Sequence, residues 1–367
     1  MVNIAVRAFA QGLTVASVGL SLATALPAQQ HYKQTNLVAD TSAPPALTDS
    51  NLVNPWGLSR SSTSPWWVSD NGTGLATLYS GTGTIVPLVV TIPPSSATSG
   101  TGTPTGQIYN GTTDFRLKNG NPATFIFVTE DGTISGWNGG TTAELTPVDT
   151  KSASVFKGLA IATINDPYAG PTNFLYVADF RKARVNVYDA KFQKVHLDGD
   201  SFKDERLPRG FAPFNVQNIG GNIYVAFAKQ DSAKHDEVDG AGLGYVDVFS
   251  PTGRLLLRLQ SGWWFNGPWG IAQAPSDFGI YSHDILIGNF GSGQILALDP
   301  VTGRFKDTLR DSTNAPIVID GLWAIAFGGG GTSGSATALF FTAGSDGEQH
   351  GLFGNLTAVE NVLGGDH

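Results

Sequence analysis

A unit of about 55 residues recurs along the chain from residue 55 onward. Each unit opens with a short apolar strand that follows a turn rich in Gly, Pro or Asn. Aligning Gly158, Asn215, Gly270 and Ala324 within these strands gives spacings of 57, 55 and 54 residues, and Gly57 lies 101 residues before Gly158, which fits two more units. One unit of this size cannot bury its apolar face alone, so the units must pack against one another.

A second apolar strand follows in every unit and ends at a polar or small corner. These corners lie at Asp70, Glu130, Asp179, Lys229, Asn289 and Gly344. Outer hairpins follow, with Pro and Gly at their turns, as in Pro251-Thr252-Gly253, where Pro presets φ and Gly accepts positive φ. Six units of short strands, without sustained helical periodicity, predict an all-β, six-bladed β-propeller.

Two parts of this assignment are weaker than the rest. The first strand of the second unit matches poorly, and we place it near Asp114–Leu117; the Ser/Thr/Gly/Pro-rich stretch from Pro93 to Gly106 is interpreted as a surface loop. The last unit lacks an outer strand after Leu352–Val359, whereas the pattern of His31–Ala39 predicts a strand that belongs to no unit of its own. We therefore predict that this N-terminal strand closes the last blade, because closure removes an open sheet edge.

Residues 1–28 predict an export signal. Arg7 is their single charged side chain, an apolar run extends from Ala8 to Leu26, and Ala23-Thr24-Ala25 fits a small-x-small cleavage pattern. The domain prediction is a signal peptide over residues 1–28 and a propeller over residues 29–367. A secreted or periplasmic location follows from it as an expectation.

Composition narrows the function classes. The chain of 367 residues has no cysteine, so thiolate metal sites and cysteine nucleophiles are excluded. Its formal net charge of −8 argues against a general nucleic-acid binder, which needs clustered Lys and Arg. No second segment is long and apolar enough to predict a membrane span after signal removal.

The segment Val177-Ala178-Asp179 through Val187-Tyr188-Asp189 resembles the signature of NHL-type propeller blades. Asn54-Pro55-Trp56-Gly57, Lys234–Phe249 and Asn266–Gly270 resemble an exported, mostly bacterial, NHL-like family of unknown function. Some members carry a Pro-Glu-Pro sorting tail, which residues 361–367 do not match. The resemblance implies a six-bladed propeller outside the cytoplasm and brings no established activity.

Propeller topology places the turn before each first strand and the turn after each second strand on the same face. Turns of the first kind bring Asn54, Lys157, Asn266 and Asp320 to this face. The remaining candidate binding residues on it are Asp70, Asn71, Glu130, Asp179, Arg181, Lys229, Asn289 and Glu348. We expect this top face to carry the function.

A hard-cation site is one interpretation of that face. The predicted metal ligands are Asp70, Glu130, Asp179 and Asn289. Carboxylate and amide oxygens are the donors that calcium uses, and NHL-like lactonases are similar in placing a metal on the axis. The alternative is that these residues only form turns, because Asp and Asn bond readily to their own backbone.

An acid–base pair is a second interpretation. His235 titrates near neutral pH, and Asp236 or Glu237 could orient it; His350 beside Glu348 is another candidate pair.

Ligand binding without chemistry is a third interpretation of the top face, because Trp66-Trp67 and Trp263-Trp264-Phe265 could stack against a glycan or aromatic ligand. Core packing between blades is the competing role for these rings and for Trp56, Trp269 and Trp323.

The sequence thus favours a propeller that binds a small molecule, glycan or protein through its top face. The alternative is a metal-dependent hydrolase or lyase with a central divalent cation, such as calcium, and His235 as acid or base. Neither the ligand nor the identity of a metal follows from the sequence.

Overall fold

The fold is seen in a computed structural model that describes residues 31–41, 47–166, 168, 170–197 and 199–359. The predicted export signal lies outside the described residues. Six sheets of at least four strands each surround one axis, and their first strands contact one another in a closed ring. The chain is therefore an all-β, six-bladed β-propeller, as the repeat predicted.

In blades 1 to 5, each blade is a meander of antiparallel strands whose innermost strand comes first in the chain, whereas the two outer strands of blade 6 come from the N-terminal part of the chain. The first two strands of the chain belong to the last blade and are β1 (His31–Ala39) and β2 (Leu47–Thr48). Blade 1 contains β3 (Pro55–Ser59), β4 (Trp66–Asp70), β5 (Leu75–Tyr79) and β6 (Ile85–Thr91). Blade 2 contains β7 (Pro104–Tyr109), β8 (Phe125–Thr129), β9 (Thr133–Trp137) and β10 (Glu144–Asp149). Blade 3 contains β11 (Phe156–Asp166), β12 (Gly170–Asp179), β13 (Arg184–Tyr188) and β14 (Lys194–Val195).

The second half of the ring repeats this order. Blade 4 contains β15 (Phe211–Ile219), β16 (Asn222–Lys229), β17 (Gly244–Phe249) and β18 (Leu255–Arg258). Blade 5 contains β19 (Pro268–Gln273), β20 (Ile285–Asn289), β21 (Ile295–Leu298) and β22 (Phe305–Thr308). Blade 6 contains β23 (Leu322–Phe327), β24 (Ala338–Ala343) and β25 (Leu352–Val359). The described helices are single turns at Gly279–Tyr281, Gly331–Ser333 and Ser345–Glu348, none of them able to span a bilayer.

Strand β1 closes the ring by pairing antiparallel with β25 from His31↔Val359 to Ala39↔Leu352. Tyr32, next to its first residue, is buried and donates a hydrogen bond to the main-chain oxygen of Phe278 at 2.9 Å. The predicted closure of the last blade is therefore confirmed. The outer edge of β25, which would otherwise be exposed, pairs with a strand that lies more than 300 residues away in the chain.

The predicted position of the first strand in blade 2 is wrong. That strand is β7 (Pro104–Tyr109), which begins inside the stretch interpreted as a loop, whereas Asp114–Leu117 lies in the connection between β7 and β8. Pro104-Thr105-Gly106 does match the Pro-x-Gly start of β3 and β19. Its low hydrophobicity concealed it, because Thr105 stands where three other blades carry tryptophan.

Two of the aligned glycines are explained by close approach of neighbouring inner strands. A Cβ at Gly57 would lie 2.5 Å from the main-chain oxygen of Thr105, and a Cβ at Gly270 would lie 2.6 Å from that of Trp323. These contacts leave no room for a side chain. In the blades that carry glycine at this position, the missing side chain therefore lets neighbouring first strands approach closely around the axis.

Aromatic rings fill the axis at the level of these glycines. Trp56 and Trp323 stack with centroids 3.4 Å apart, and Trp269 and Phe214 pack edge-on or tilted against Trp323. The three tryptophans are buried, as are Trp66 and Trp67 between blades, so core packing accounts for all five. Trp263 is the exception in the predicted aromatic pairs, with 72% of its surface exposed.

Candidate functional site

Five of the six blades contribute polar side chains to the centre of the top face, above the aromatic rings of the axis. They come from the turn that precedes β3, from the start of β11, from the turns after β4 and β8, and from the longer loops β16–β17 and β24–β25. We call the following set the cup: Asn54, Asn71, Glu130, Lys157, His235, Asp236, Glu237 and Glu348. The loops meet here because each blade points the same pair of turns toward this face.

Lys157 is the centre of the cup. Its side chain has no solvent exposure, and its Nζ donates to Glu130 Oε1 at 2.5 Å and to Asp236 Oδ1 at 3.1 Å. The Nζ also lies 4.7 Å from the ring centroid of Trp56. Burial alone would lower the pKa of Lys157, but the carboxylates of Glu130, Glu237 and Asp236 raise it above its ordinary value. The axis therefore carries a built-in cation.

Amide side chains connect this ion pair to the rim and to the core. Asn71 Nδ2 donates to the second oxygen of Glu130 at 2.9 Å, and Asn54 Nδ2 donates to Glu348 Oε1 at 3.1 Å. Trp323 Nε1 donates to Asn54 Oδ1 at 3.0 Å. Asn54 and Glu348 both have positive φ, 45° and 68°, a backbone conformation that non-glycine residues adopt mainly where surrounding contacts enforce it.

His235 and Asp236 form a dyad at the solvent side of the cup. His235 Nδ1 lies 2.9 Å from Asp236 Oδ1, and His235 Nε2 has no hydrogen-bond partner in the described part of the chain. The bond to Asp236 raises the pKa of His235, and the same bond, together with Lys157, lowers the pKa of Asp236. The predicted pairing of these two residues is thus present as a contact.

Further carboxyl groups crowd the cup. Burial raises the pKa of Glu237 to about 8, with the charges of Asp239 and Glu348 contributing. Burial also raises the pKa of Asp239 and of Glu348, and the charge of Glu130 adds to the effect on Glu348. Within the cup itself, the four carboxyl groups of Glu130, Asp236, Glu237 and Glu348 therefore surround one lysine and one histidine.

The four predicted metal ligands do not come together. The buried carboxylate of Asp70 accepts a hydrogen bond from Thr77 at 2.8 Å, and that of Asp179 accepts one from Ser154 at 2.9 Å. Asn289 bonds to the main chain of the turn before β19. These three side chains therefore serve local turns, which was the alternative that the sequence left open, and only Glu130 reaches the cup.

A different donor set does converge. In the described ranges, the His, Asp and Glu ligand atoms that gather in threes within 4.8 Å belong to Glu130, His235 and Asp236. Lys157 already binds two of these three residues, so a divalent cation would face the charge of its ammonium at close range. This donor set does not fit a metal ion while Lys157 keeps its position.

The remaining predicted residues have structural partners outside the cup. Arg181 Nη1 donates to the main-chain oxygen of Ser152 at 2.8 Å, and Lys229 Nζ donates to that of Arg209 at 3.1 Å. His350 turns away from Glu348: its Nδ1 lies 2.8 Å from Asp40 Oδ2, in the segment that follows β1. His350 therefore ties the closing strand to the last blade, and the predicted His350–Glu348 pair does not form.

Sequence reasoning placed Lys157 and Asn54 on this face without giving either a role. The position of Lys157 within the repeat does indicate a special role for it. Lys157 precedes Gly158 and so aligns with Trp56, Trp269 and Trp323, which means that one blade carries a charge where three carry tryptophan. A charge at an otherwise apolar, axial position predicts partners of opposite charge, which the sequence alone does not identify.

Solved structures with the same architecture support the fold. A protein of unknown function from Bacteroides thetaiotaomicron aligns with a TM-score of 0.55 at 13% identity, covering 90% of this chain and 77% of that one. A streptogramin B lyase aligns with a TM-score of 0.51 at 12% identity, covering 90% and 98%. At such identities the likeness concerns the fold alone.

No protein-family model matches the chain. Two relatives from Acanthamoeba polyphaga mimivirus match over most of its length. Uncharacterized protein R648 is 29% identical over 342 residues, covering 89% of this chain and 80% of that protein. Uncharacterized protein L690 is 30% identical over 338 residues, covering 89% and 85%. The chain belongs to the same protein family as uncharacterized protein L690 of the mimivirus.

Proposed function

We propose that this chain is a ligand-binding propeller whose cup receives a small ligand with a positively charged amine or guanidinium group. The observation that carries the proposal is the charge count of the cup, where four carboxyl groups surround a single lysine and a single histidine. Glu130 and Asp236 already pair with Lys157, whereas Glu237 and Glu348 form no ion pair among the described residues, so a bound cation can pair with these two carboxyl groups.

Bound cations should also change protonation. Glu237, with its pKa raised to about 8, is largely protonated at neutral pH. A cation next to it lowers that pKa, so binding releases protons to the buffer. Proton release therefore distinguishes a cation in the cup from a cation on an exposed acidic surface, where carboxylates are already ionised.

Calorimetric titration with spermidine and with arginine methyl ester tests the proposal. Run in two buffers of different ionisation enthalpy, it should show binding accompanied by proton release. Glu237→Gln and Glu348→Gln should each weaken binding about tenfold or more, whereas Glu205→Gln, an exposed site outside the cup, should leave it unchanged. Absence of binding at millimolar concentration of both amines, or equal binding by all variants, would contradict the proposal.

Acid–base chemistry is a second candidate, favoured by the contact between His235 and Asp236. Asp236 fixes the ring through Nδ1, and Nε2 remains available to a substrate proton. A metal-dependent hydrolase or lyase finds less support, because Lys157 occupies the place of the cation. Loss of a detected turnover in His235→Ala, with amine binding retained, would favour the enzyme.

We also propose that the propeller acts outside the cytoplasm as an NHL-like protein. The support is the composition of residues 1–28 and the blade signature around Asp179. N-terminal sequencing of protein recovered from expressing cells tests the export part, with a new terminus after Ala25 or Ala28 as the expected result. An uncleaved chain retained in the cytoplasm would contradict it.

A further inference from the structure

The axis has a second opening, on the face opposite the cup. Here the ends of the first strands surround a cavity of about 320 Å³. Among its lining residues are Leu58, Arg60, Gln217, Ile271, Gln273 and Phe327. Trp269 also contributes to the wall, so the aromatic cluster of the axis forms the inner end of this lower cavity and separates it from the cup.

Arg60 is the single charged side chain among the residues that line the lower cavity. Its Nε donates to the main-chain oxygen of Phe327 at 3.1 Å, its Nη1 contacts that of Ser61 at 3.4 Å, and the guanidinium lies over Trp66. These contacts use two of five N–H donors. In the described part of the chain, Nη2 has no hydrogen-bond partner and no carboxylate forms an ion pair with Arg60.

Arg60 differs from the cations of this protein that are buried in ion pairs. The chain has 30 acidic and 22 basic residues, and several of its buried or half-buried cations, Lys157 and Arg258 among them, contact carboxylates. Arg60 is half-buried, and burial lowers its pKa, but an arginine stays charged at neutral pH. Its free N–H groups therefore stand beside a cavity without an anion to meet them.

A polar side chain on the first strand of blade 4 also lines the cavity and has unused donors. The side chain of Gln217 has no hydrogen-bond partner among the described residues, and its amide offers two further donors. No Asp or Glu lines the cavity. The walls contain aliphatic side chains such as Leu58 and Ile271, which suit an apolar body but not a bare inorganic ion.

We propose that the lower cavity binds a small organic anion whose acidic group meets Arg60. The guanidinium fork pairs in a bidentate manner with a carboxylate or with a phosphate, while the aliphatic wall covers the rest of the molecule. The volume is at the lower end of the range of small-molecule sites, which limits the ligand to about the size of one ring with its substituent. This site is independent of the function proposed for the cup.

Three ring compounds of similar size test the proposal: benzoate, phenyl phosphate and the uncharged benzamide. Titration calorimetry with the whole propeller should show binding of benzoate, of phenyl phosphate or of both, with benzamide at least about tenfold weaker. The ratio of the two anions identifies the acidic group. Binding of benzamide as tight as that of both anions, or no binding by either anion at millimolar concentration, overturns the proposal.

Variants locate the site. Arg60→Gln should weaken anion binding at least about tenfold, whereas Arg116→Gln, which removes an exposed arginine elsewhere, should leave it unchanged. Arg60→Gln also loses the bond to Phe327, so Gln217→Leu serves as a second variant that keeps the guanidinium and should weaken binding severalfold. A shift of the Arg60 Nε–H resonance on adding benzoate to the unaltered protein is the third readout, and its absence overturns the proposal even if Arg60→Gln does not fold.

Discussion

Lys157 Nζ lies 2.5 Å from Glu130 Oε1, and the lysine side chain is fully removed from solvent. This ion pair joins blade 3 to the turn of blade 2 at the centre of the top face. A buried ammonium is tolerated only with partners of opposite charge, so the pair is the fixed point around which the other polar groups of the cup are arranged.

Lys157→Met should destabilise the fold by about 3 kcal/mol, because it leaves the largely buried Glu130 without its partner. Denaturant unfolding measures the effect, and the exposed Lys182→Met serves as control. Adding Glu130→Gln to Lys157→Met should recover part of the loss, since it removes the unpaired charge. A double variant as unstable as the sum of the two single variants would contradict a direct coupling.

Removing the ammonium should also expose a latent metal site. Glu130, His235 and Asp236 place ligand atoms within 4.8 Å of one another, and Lys157 holds two of these residues. We expect Lys157→Ala to bind Zn²⁺ and to be stabilised by it in thermal unfolding, while the unaltered protein is not. Equal stabilisation of both proteins would mean that the lysine does not stand in for a cation.

Asp236→Asn should lower the pKa of His235 toward the ordinary histidine value of about 6.5. The physical reason is that the bond from His235 Nδ1 to Asp236 Oδ1, at 2.9 Å, favours the charged ring. Titration of the His235 ring protons by NMR measures the shift, with Glu205→Gln as the matched control. An unchanged pKa in Asp236→Asn would show that the dyad does not persist in solution.

His350→Ala should weaken the closure of the ring. The contact between His350 and Asp40 raises the pKa of His350, so its contribution to stability is complete below about pH 6.5 and is lost as the pH rises through the higher folded value. The gap in thermal unfolding between the unaltered protein and His350→Ala should therefore shrink from pH 6 to pH 9. His196→Ala, at an exposed position, should show no such pH dependence.

Deletion of residues 31–41 should leave the edge of β25 unpaired. We expect a lower thermal midpoint and self-association on size-exclusion chromatography, because the exposed edge can pair with another copy. Adding a peptide of residues 31–41 should restore both properties in part. A chain that begins at residue 31, and so keeps β1, is the control. A deletion that leaves the thermal midpoint and the elution volume unchanged would contradict the closure.

Trp323→Ala should cost about 4 kcal/mol of stability, because this fully buried ring stacks on Trp56 and Phe290 at the axis. The exposed Trp263→Ala should stay within about 0.5 kcal/mol of the unaltered protein. Since Trp323 also donates to Asn54, its loss should perturb the NMR signals of the Asn54 amide. Equal stability losses in both variants would contradict an axial core.

The repeat was sufficient to predict six blades and the closing role of β1, because period and strand alternation are local properties that survive in one sequence. It failed at β7, where Thr105 replaces an apolar residue and the strand is held by its neighbours rather than by its own hydrophobicity. Tertiary packing overrides local propensity at such positions.

For the candidate site as well, some features follow from the sequence pattern and others only from tertiary contacts. The repeat topology alone predicts Glu130, Lys157, His235 and Asp236 on one face, because each blade directs the same turns to it. Whether a carboxylate on that face points to the axis or into its own turn depends on which hydrogen-bond partners the folded blades place within its reach, which no repeat period encodes. Asp70 and Asp179 turned inward to Thr77 and Ser154, and Glu130 turned to Lys157. Sequence thus determined which residues share a face, whereas the tertiary structure decided which of them meet, because contacts between blades form only once the ring is closed.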